Sequence, residues 1–284
     1  MIKGHGVYID SINFYVILAS KVKVYEKKTH KLIGEIKVKN PSKVISDLEI
    51  NALIICTTKT TVFVFSQKTY NLEFKIELLD EAFDVLYDKK NHELYAFCNN
   101  LKKNETIIYK INIDLKEYIS NTIPKLIIQQ PIKVDANNIL LLCNYIADHA
   151  SNQYFISKYD KSNLNFIENL KKITKFTNLK ILDEEWCSNV WDGFENIKTG
   201  EVVLYKDIGL KEECYYITKK INNFFIVSDH KKAYLLSNDF KIVKIFIEND
   251  YKKNMHDFAL DDGNIYIIKG DYLYVEKLWI LRLY

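Results

Sequence analysis

Residues 53–72 run Leu53-Ile54-Ile55-Cys56-Thr57, a short polar loop, Val62-Phe63-Val64-Phe65, and the polar turn Ser66-Gln67-Lys68-Thr69-Tyr70 before Leu72. β-Branched and aromatic residues fill both apolar runs, which are short and bounded by polar turn residues. The stretch therefore predicts three consecutive strands. A further short strand, Ile45 to Ile50, precedes them.

The same unit recurs in both directions. Val16-Ile17-Leu18-Ala19-Ser20, Tyr95-Ala96-Phe97-Cys98-Asn99 and Leu140-Leu141-Leu142-Cys143-Asn144 align with the first run. So do Trp186-Cys187-Ser188, Phe225-Ile226-Val227-Ser228-Asp229 and Tyr266-Ile267-Ile268-Lys269-Gly270. Ala19 to Lys269 spans six steps of about 42 residues, the period of a four-stranded propeller blade. A second apolar strand follows most of these runs, as in Val22-Lys23-Val24-Tyr25 and Tyr272-Leu273-Tyr274-Val275. Polar turns such as Glu26-Lys27-Lys28-Thr29-His30 and Lys198-Thr199-Gly200 lead to the next strand. The long amphipathic helices that a parallel α/β sheet needs between its strands are missing from the pattern.

The unit resembles a blade of the WD40-like and quinoprotein-like β-propellers, over essentially the whole chain. The likeness lies in period and pattern. One Trp-Asp dipeptide, Trp191-Asp192, and the turn Lys198-Thr199-Gly200-Glu201 carry what motif there is, and the only Gly-His pair is Gly4-His5. The expected fold is all-β, a single β-propeller of seven blades of four antiparallel strands. The expected blades are 1–40, 41–80, 81–129, 130–176, 177–210, 211–250 and 251–284. Packing of the first blade on the last is expected to close the structure. Trp279-Ile280-Leu281 is expected to be the outer strand of the last blade or to pair across the seam.

The 284 residues include 48% hydrophobic and 27% charged residues, the balance of a globular protein able to bury a core. Net charge is only +3, and Arg282 is the single arginine. Base and phosphate recognition rely heavily on the bidentate arginine fork, so a nucleic-acid partner is not expected. No run approaches the roughly 20 apolar residues of a membrane span. The apolar run Ile12 to Ala19 is interrupted by Asn13 and fits a strand better than a secretion signal. A cytoplasmic location, with no membrane partner, is the expectation.

Cys56, Cys98, Cys143 and Cys187 occupy one equivalent place in four successive repeats, where Ala19 and Ser228 stand in two others. A small buried side chain explains them better than a metal, because close Cys-Cys or Cys-His ligand spacings are absent. Cys214 lies outside the series. His149, in Asp148-His149-Ala150-Ser151-Asn152, sits beside a serine and an aspartate, but triad members meet from separate loops. Glycine patterns for phosphate binding are also absent. Propeller lactonases hold calcium with carboxylates from several blades, and that resemblance would extend to Asp84, Asp135, Asp183 and Asp257. The sequence itself assigns no catalytic, cofactor-binding or metal-ligating residue.

Trp186, Trp191 and Phe194 give the irregular fifth repeat an aromatic cluster beside Asp183-Glu184-Glu185. As core they would be ordinary; on a surface flanked by charge they would be contact residues. Asp148 and His149 lie in one of two longer loops, 145–153 and 99–105, of the kind that marks a binding side. The expected function is a non-catalytic protein-interaction scaffold, without cofactor, using a propeller face or the axial funnel to hold another protein. The alternative is a propeller hydrolase or lyase acting on a small molecule or glycan in that funnel.

Overall fold

A computed structural model describes residues 2–145, 153–173, 179–183, 185–189, 192–211, 215, 217–229, 231–248, 254–261 and 263–278. The chain divides into two compact units, Met1–Val44 with Asn178–Tyr284, and Ile45–Thr177. Seven four-stranded antiparallel sheets run through them, each in chain order apart from the last.

The chain opens with β1 (Ile2–Lys3), followed by blade one: β2 (Gly6–Ile9), β3 (Asn13–Leu18), β4 (Lys21–Glu26) and β5 (Leu32–Lys37). Blade two is β6 (Pro41–Asp47), β7 (Ala52–Thr57), β8 (Thr61–Ser66) and β9 (Leu72–Glu77). Blade three has β10 (Ala82–Asp88), β11 (Glu93–Asn100), β12 (Glu105–Asn112) and β13 (Glu117–Pro124). Blade four has β14 (Leu126–Val134), β15 (Asn138–Tyr145), β16 (Gln153–Asp160) and β17 (Phe166–Ile173). Blade five is short: β18 (Leu179–Ile181), β19 (Trp186–Asn189), β20 (Gly193–Asn196) and β21 (Val202–Leu204), trailed by a 3-10 turn at Tyr205–Ile208. Blade six comprises β22 (Ile217–Ile221), β23 (Phe224–Ser228), β24 (Lys232–Ser237) and β25 (Ile242–Ile247). Blade seven contributes β26 (Met255–Asp261), β27 (Asn264–Lys269) and β28 (Tyr272–Lys277). This is an all-β propeller fold of seven blades.

Two features differ from the sequence expectation. Blade seven is completed by the start of the chain: β1 pairs with β28, Ile2 opposite Leu273 and Lys3 opposite Tyr272. Strand pairing thus joins the N-terminal residues to the last blade, where closure largely by packing was expected. Trp279-Ile280-Leu281 lies outside the described residues. Blade four starts at Leu126 because Lys125, at φ 56°, turns the chain directly out of β13. Pro131, which cannot donate to a ladder, sits in β14 where the register shifts between Pro131 and Lys133.

The turn between the third and fourth strands recurs as a built unit. His30, Tyr70, Leu164 and Gly200 each adopt positive φ, and each N–H returns to the carbonyl four residues back at 2.8–2.9 Å. The preceding Thr29, Thr69 and Thr199 hydroxyls accept the N–H two residues on. Only Gly200 adopts this left-handed conformation without the Cβ penalty.

Apolar cores lie between neighbouring sheets. Ile54, Val64 and Cys56 of blade two pack with Leu94, Ala96 and Tyr109 of blade three. Tyr95, Phe97 and Ile108 meet Leu141, Cys143 and Tyr159 of blade four. In the other unit, Phe14 and Val16 meet Tyr266 and Ile268 of blades one and seven. No helix among the described residues is long and apolar enough to cross a membrane.

Candidate functional site

An aspartate stands where the first strand of a blade ends in six of the seven blades: Asp10, Asp47, Asp88, Asp135, Asp183 and Asp261, with Asn222 in the sixth. Its short side chain can cap the hairpin that follows. Asp10 Oδ1 accepts the N–H groups of Ile12 and Asn13 at 2.7 and 2.6 Å. Asp135 does so for Asn137 and Asn138 at 3.0 and 2.8 Å, and Asp183 for Glu185 and Trp186 at 2.8 and 2.7 Å. Asp47 and Asp88 each cap one N–H, of Glu49 and Lys90, at 3.0 Å.

In blades two, three, five and seven an aspartate oxygen then reaches the next blade, whereas Asp10 Oδ2 accepts the Tyr15 hydroxyl of its own blade at 2.7 Å. Asp47 Oδ2 accepts the Tyr87 hydroxyl at 2.6 Å and lies 3.0 Å from His92 Nδ1. Asp88 Oδ2 accepts from Lys161, and Asp183 Oδ2 from Lys220. Asp261 Oδ2 pairs with Lys27 at 3.1 Å. Burial opposes the charge of Asp47, Asp88 and Asp183. Hydrogen bonds from Tyr87 and His92, from Lys161 and Asn91, and from Lys220 outweigh it, so all three pKa values lie below the ordinary value.

Between blades three and four this arrangement widens into a cleft of about 360 Å³. Lys161 and Glu93, both buried, form its floor. Glu93 accepts the Tyr95 hydroxyl at 2.7 Å, pairs with Lys110 at 2.9 Å and lies 3.6 Å from Lys161. Asn91, Asn137, Asp160 and Ser162 form the rim. A second hollow of about 200 Å³ shares Glu93 and Lys110 and is walled by Tyr118 and Ile119. The sequence reading missed this site. The recurring aspartate was its only signal, and unequal strand lengths hid that spacing.

The residues singled out from sequence fall elsewhere. Phe194 is buried, with its ring 4.7 Å from Phe240, 5.3 Å from Phe225 and 5.5 Å from Tyr205. Trp186 is half-buried and lies edge-on to Phe240 at 4.8 Å. These two therefore share one aromatic core between blades five and six. Trp191, Asp148 and His149 lie outside the described residues, as does Cys214.

Cys56, Cys98, Cys143 and Cys187 are free and buried on the second strands of their blades. At the equivalent place in blade seven, Lys269 is also buried, its Nζ 5.1 Å from the Tyr274 ring centre and 3.7 Å from Glu276. Asp84 bonds the N–H of Val85, while Asp257 accepts the N–H of Val7 at 3.0 Å and Lys219 Nζ at 3.2 Å. Among the described residues no group of three or more His, Cys, Asp or Glu side chains is placed to hold a metal ion.

No family model matches the sequence, and comparison with curated proteins finds no relative. Solved structures share the fold. Hydrazine synthase of Kuenenia stuttgartiensis is similar over 98% of this chain and 96% of that one, at 13% identity and TM-score 0.71. The Cps50 (Swd1) β-propeller domain of Myceliophteria thermophila is similar over 98% of both chains, at 8% identity and TM-score 0.69. BamB from Moraxella catarrhalis covers 95% of this chain and 94% of its own, at 11% identity and TM-score 0.60. At such identities the likeness is one of fold alone, that of a β-propeller. An enzyme by name stands among these neighbours, so the fold alone selects no function.

Proposed function

We propose that the protein is a non-catalytic interaction module and that β17, the outer strand of blade four, receives an extended segment of another protein. The observation that carries this reading is the exposure of β17. Every residue from Phe166 to Leu170 is exposed, Phe166, Ile167 and Leu170 among them at 43–50%. β17 is also last in its sheet, so its outward edge offers backbone donors and acceptors. β17 is eight residues long, and its exposed Phe166, Ile167 and Leu170, set among Glu168, Lys171 and Lys172, offer apolar anchors for strand addition by a partner.

The carboxylates that resemble chemistry support the same reading. Asp47, Asp88 and Asp183 are already engaged in capping turns and linking blades. Of the residues expected from sequence, half-buried Trp186 remains a separate candidate contact residue, whereas Phe194 is packing.

The test is affinity capture from the native host with wild-type protein and an Ile167→Ser/Leu170→Ser variant. Both positions are exposed, so the fold should persist. A partner held by the wild type and lost by the folded variant is expected. A partner held equally by both would refute β17 as the contact surface.

A further inference from the structure

The cleft between blades three and four has the chemistry of a site for a neutral polyhydroxylated ligand, and we infer that it binds a saccharide. Its lysines are already paired, Lys161 with Asp88 and Glu93 and Lys110 with Glu93, so the cleft presents no unpaired cation among its described residues to select an anion. Lys161 and Glu93 are buried and held by Asp88 and Tyr95, which fixes the floor. Lys110 gives one bond to Glu93, and an ammonium carries three donors.

Around it, the amides of Asn91, one N–H of which is held by Asp88, and of Asn137 offer donors and acceptors, and Ser162 Oγ, whose hydroxyl donates to Asp160, offers an acceptor. A sugar hydroxyl both donates and accepts, so it matches such alternation where a carboxylate or an amine matches only half. The volume of about 360 Å³ lies at the small end of ligand sites, but the polar lining differs from the mostly apolar walls of a typical one. In the adjoining hollow, Tyr118 and Ile119 provide an apolar wall for the C–H face of a pyranose ring.

Saturation-transfer NMR on the full chain with maltose, cellobiose, galactose and N-acetylglucosamine, each alone, tests the site. At least one should receive saturation from the wild type. Lys110→Met should weaken its binding about tenfold, the contribution of one hydrogen bond to a charged group, and Asn137→Ala and Tyr118→Ala, both at exposed positions, about fivefold each, the contribution of one neutral hydrogen bond or a comparable apolar contact. Lys75→Met, on β9 of blade two, should leave it unchanged. No transfer to any of the four sugars from folded wild type would overturn the inference, as would transfer that Asn137→Ala and Tyr118→Ala leave intact. The inference stands apart from the proposed partner contact, because the Ile167→Ser/Leu170→Ser variant should retain saccharide binding.

Discussion

In blades two, three and five the aspartate that closes the first hairpin uses one oxygen for its own turn and the other for the neighbouring blade, and the ion pairs so formed set the response to acid. Asp88 and Asp183 have depressed pKa values, so their contribution is fully present above the unfolded value of about 3.9 and is lost as pH falls through the lower folded values. The thermal midpoint should hold steady from neutrality to about pH 5 and drop below about pH 4, as followed by circular dichroism. At neutral pH, Asp88→Asn should cost about 3 kcal/mol, the low end for a broken buried pair, because Lys161 keeps Glu93. Asp88→Asn/Lys161→Met should cost less than the sum of its single changes in denaturant titrations. Additive costs would show that the two side chains do not interact. The cysteines give an independent test of the core. Burial pushes the Cys98 and Cys143 thiols up to about 12. A Cys214→Ser protein should therefore show no fast-reacting thiol towards a colorimetric disulfide at about pH 8 until it is unfolded. Rapid reaction in the native state would contradict the packing of these strands.

Among the elements, the hairpins were legible from sequence and the edges were not. Glu26-Lys27-Lys28-Thr29-His30 and Ser66-Gln67-Lys68-Thr69-Tyr70 announce their turns through local chemistry, and both form the same hydrogen-bonded loop. The cysteine series likewise marks the buried second strands. By contrast, β1 is a two-residue strand whose partner lies at the far end of the chain, and no local pattern encodes that pairing. Removing residues 1–5 exposes the edge of β28 and should lower the thermal midpoint; an unchanged midpoint would deny β1 a structural role. The cleft was hidden for a similar reason, since Asp88, Glu93 and Lys161 meet only in space. Turn strain gives a prediction of smaller size. Lys116 is exposed and holds φ 57° in the turn before β13. Lys116→Gly relieves about 1–2 kcal/mol of left-handed strain and loses about 0.5–1 kcal/mol to chain entropy. Lys116 Nζ also lies 5.5 Å from the Phe74 ring centre, a contact worth about 0.5–1 kcal/mol that the change removes. Stability in denaturant unfolding should therefore move by less than about 1 kcal/mol, and a loss above about 2 kcal/mol would show that the side chain stabilises this turn.

For the whole molecule, seven weak repeats with hardly a shared motif specify one architecture because each blade needs only a period, a small buried side chain and apolar faces for its neighbours. Such a design leaves the outer strands free to vary, and there the exposed apolar residues Leu32, Ile33, Leu72, Phe166, Ile167 and Ile247 collect. The proposed contact strand, β17, is one of them. The decisive measurement is amide hydrogen exchange, read by mass spectrometry across the chain, with and without the partner recovered by affinity capture. Binding should slow exchange in 166–173 and leave the second strands of the blades, already protected, unchanged. Protection confined to other segments, with 166–173 exchanging as in the free protein, would contradict a partner docked on β17.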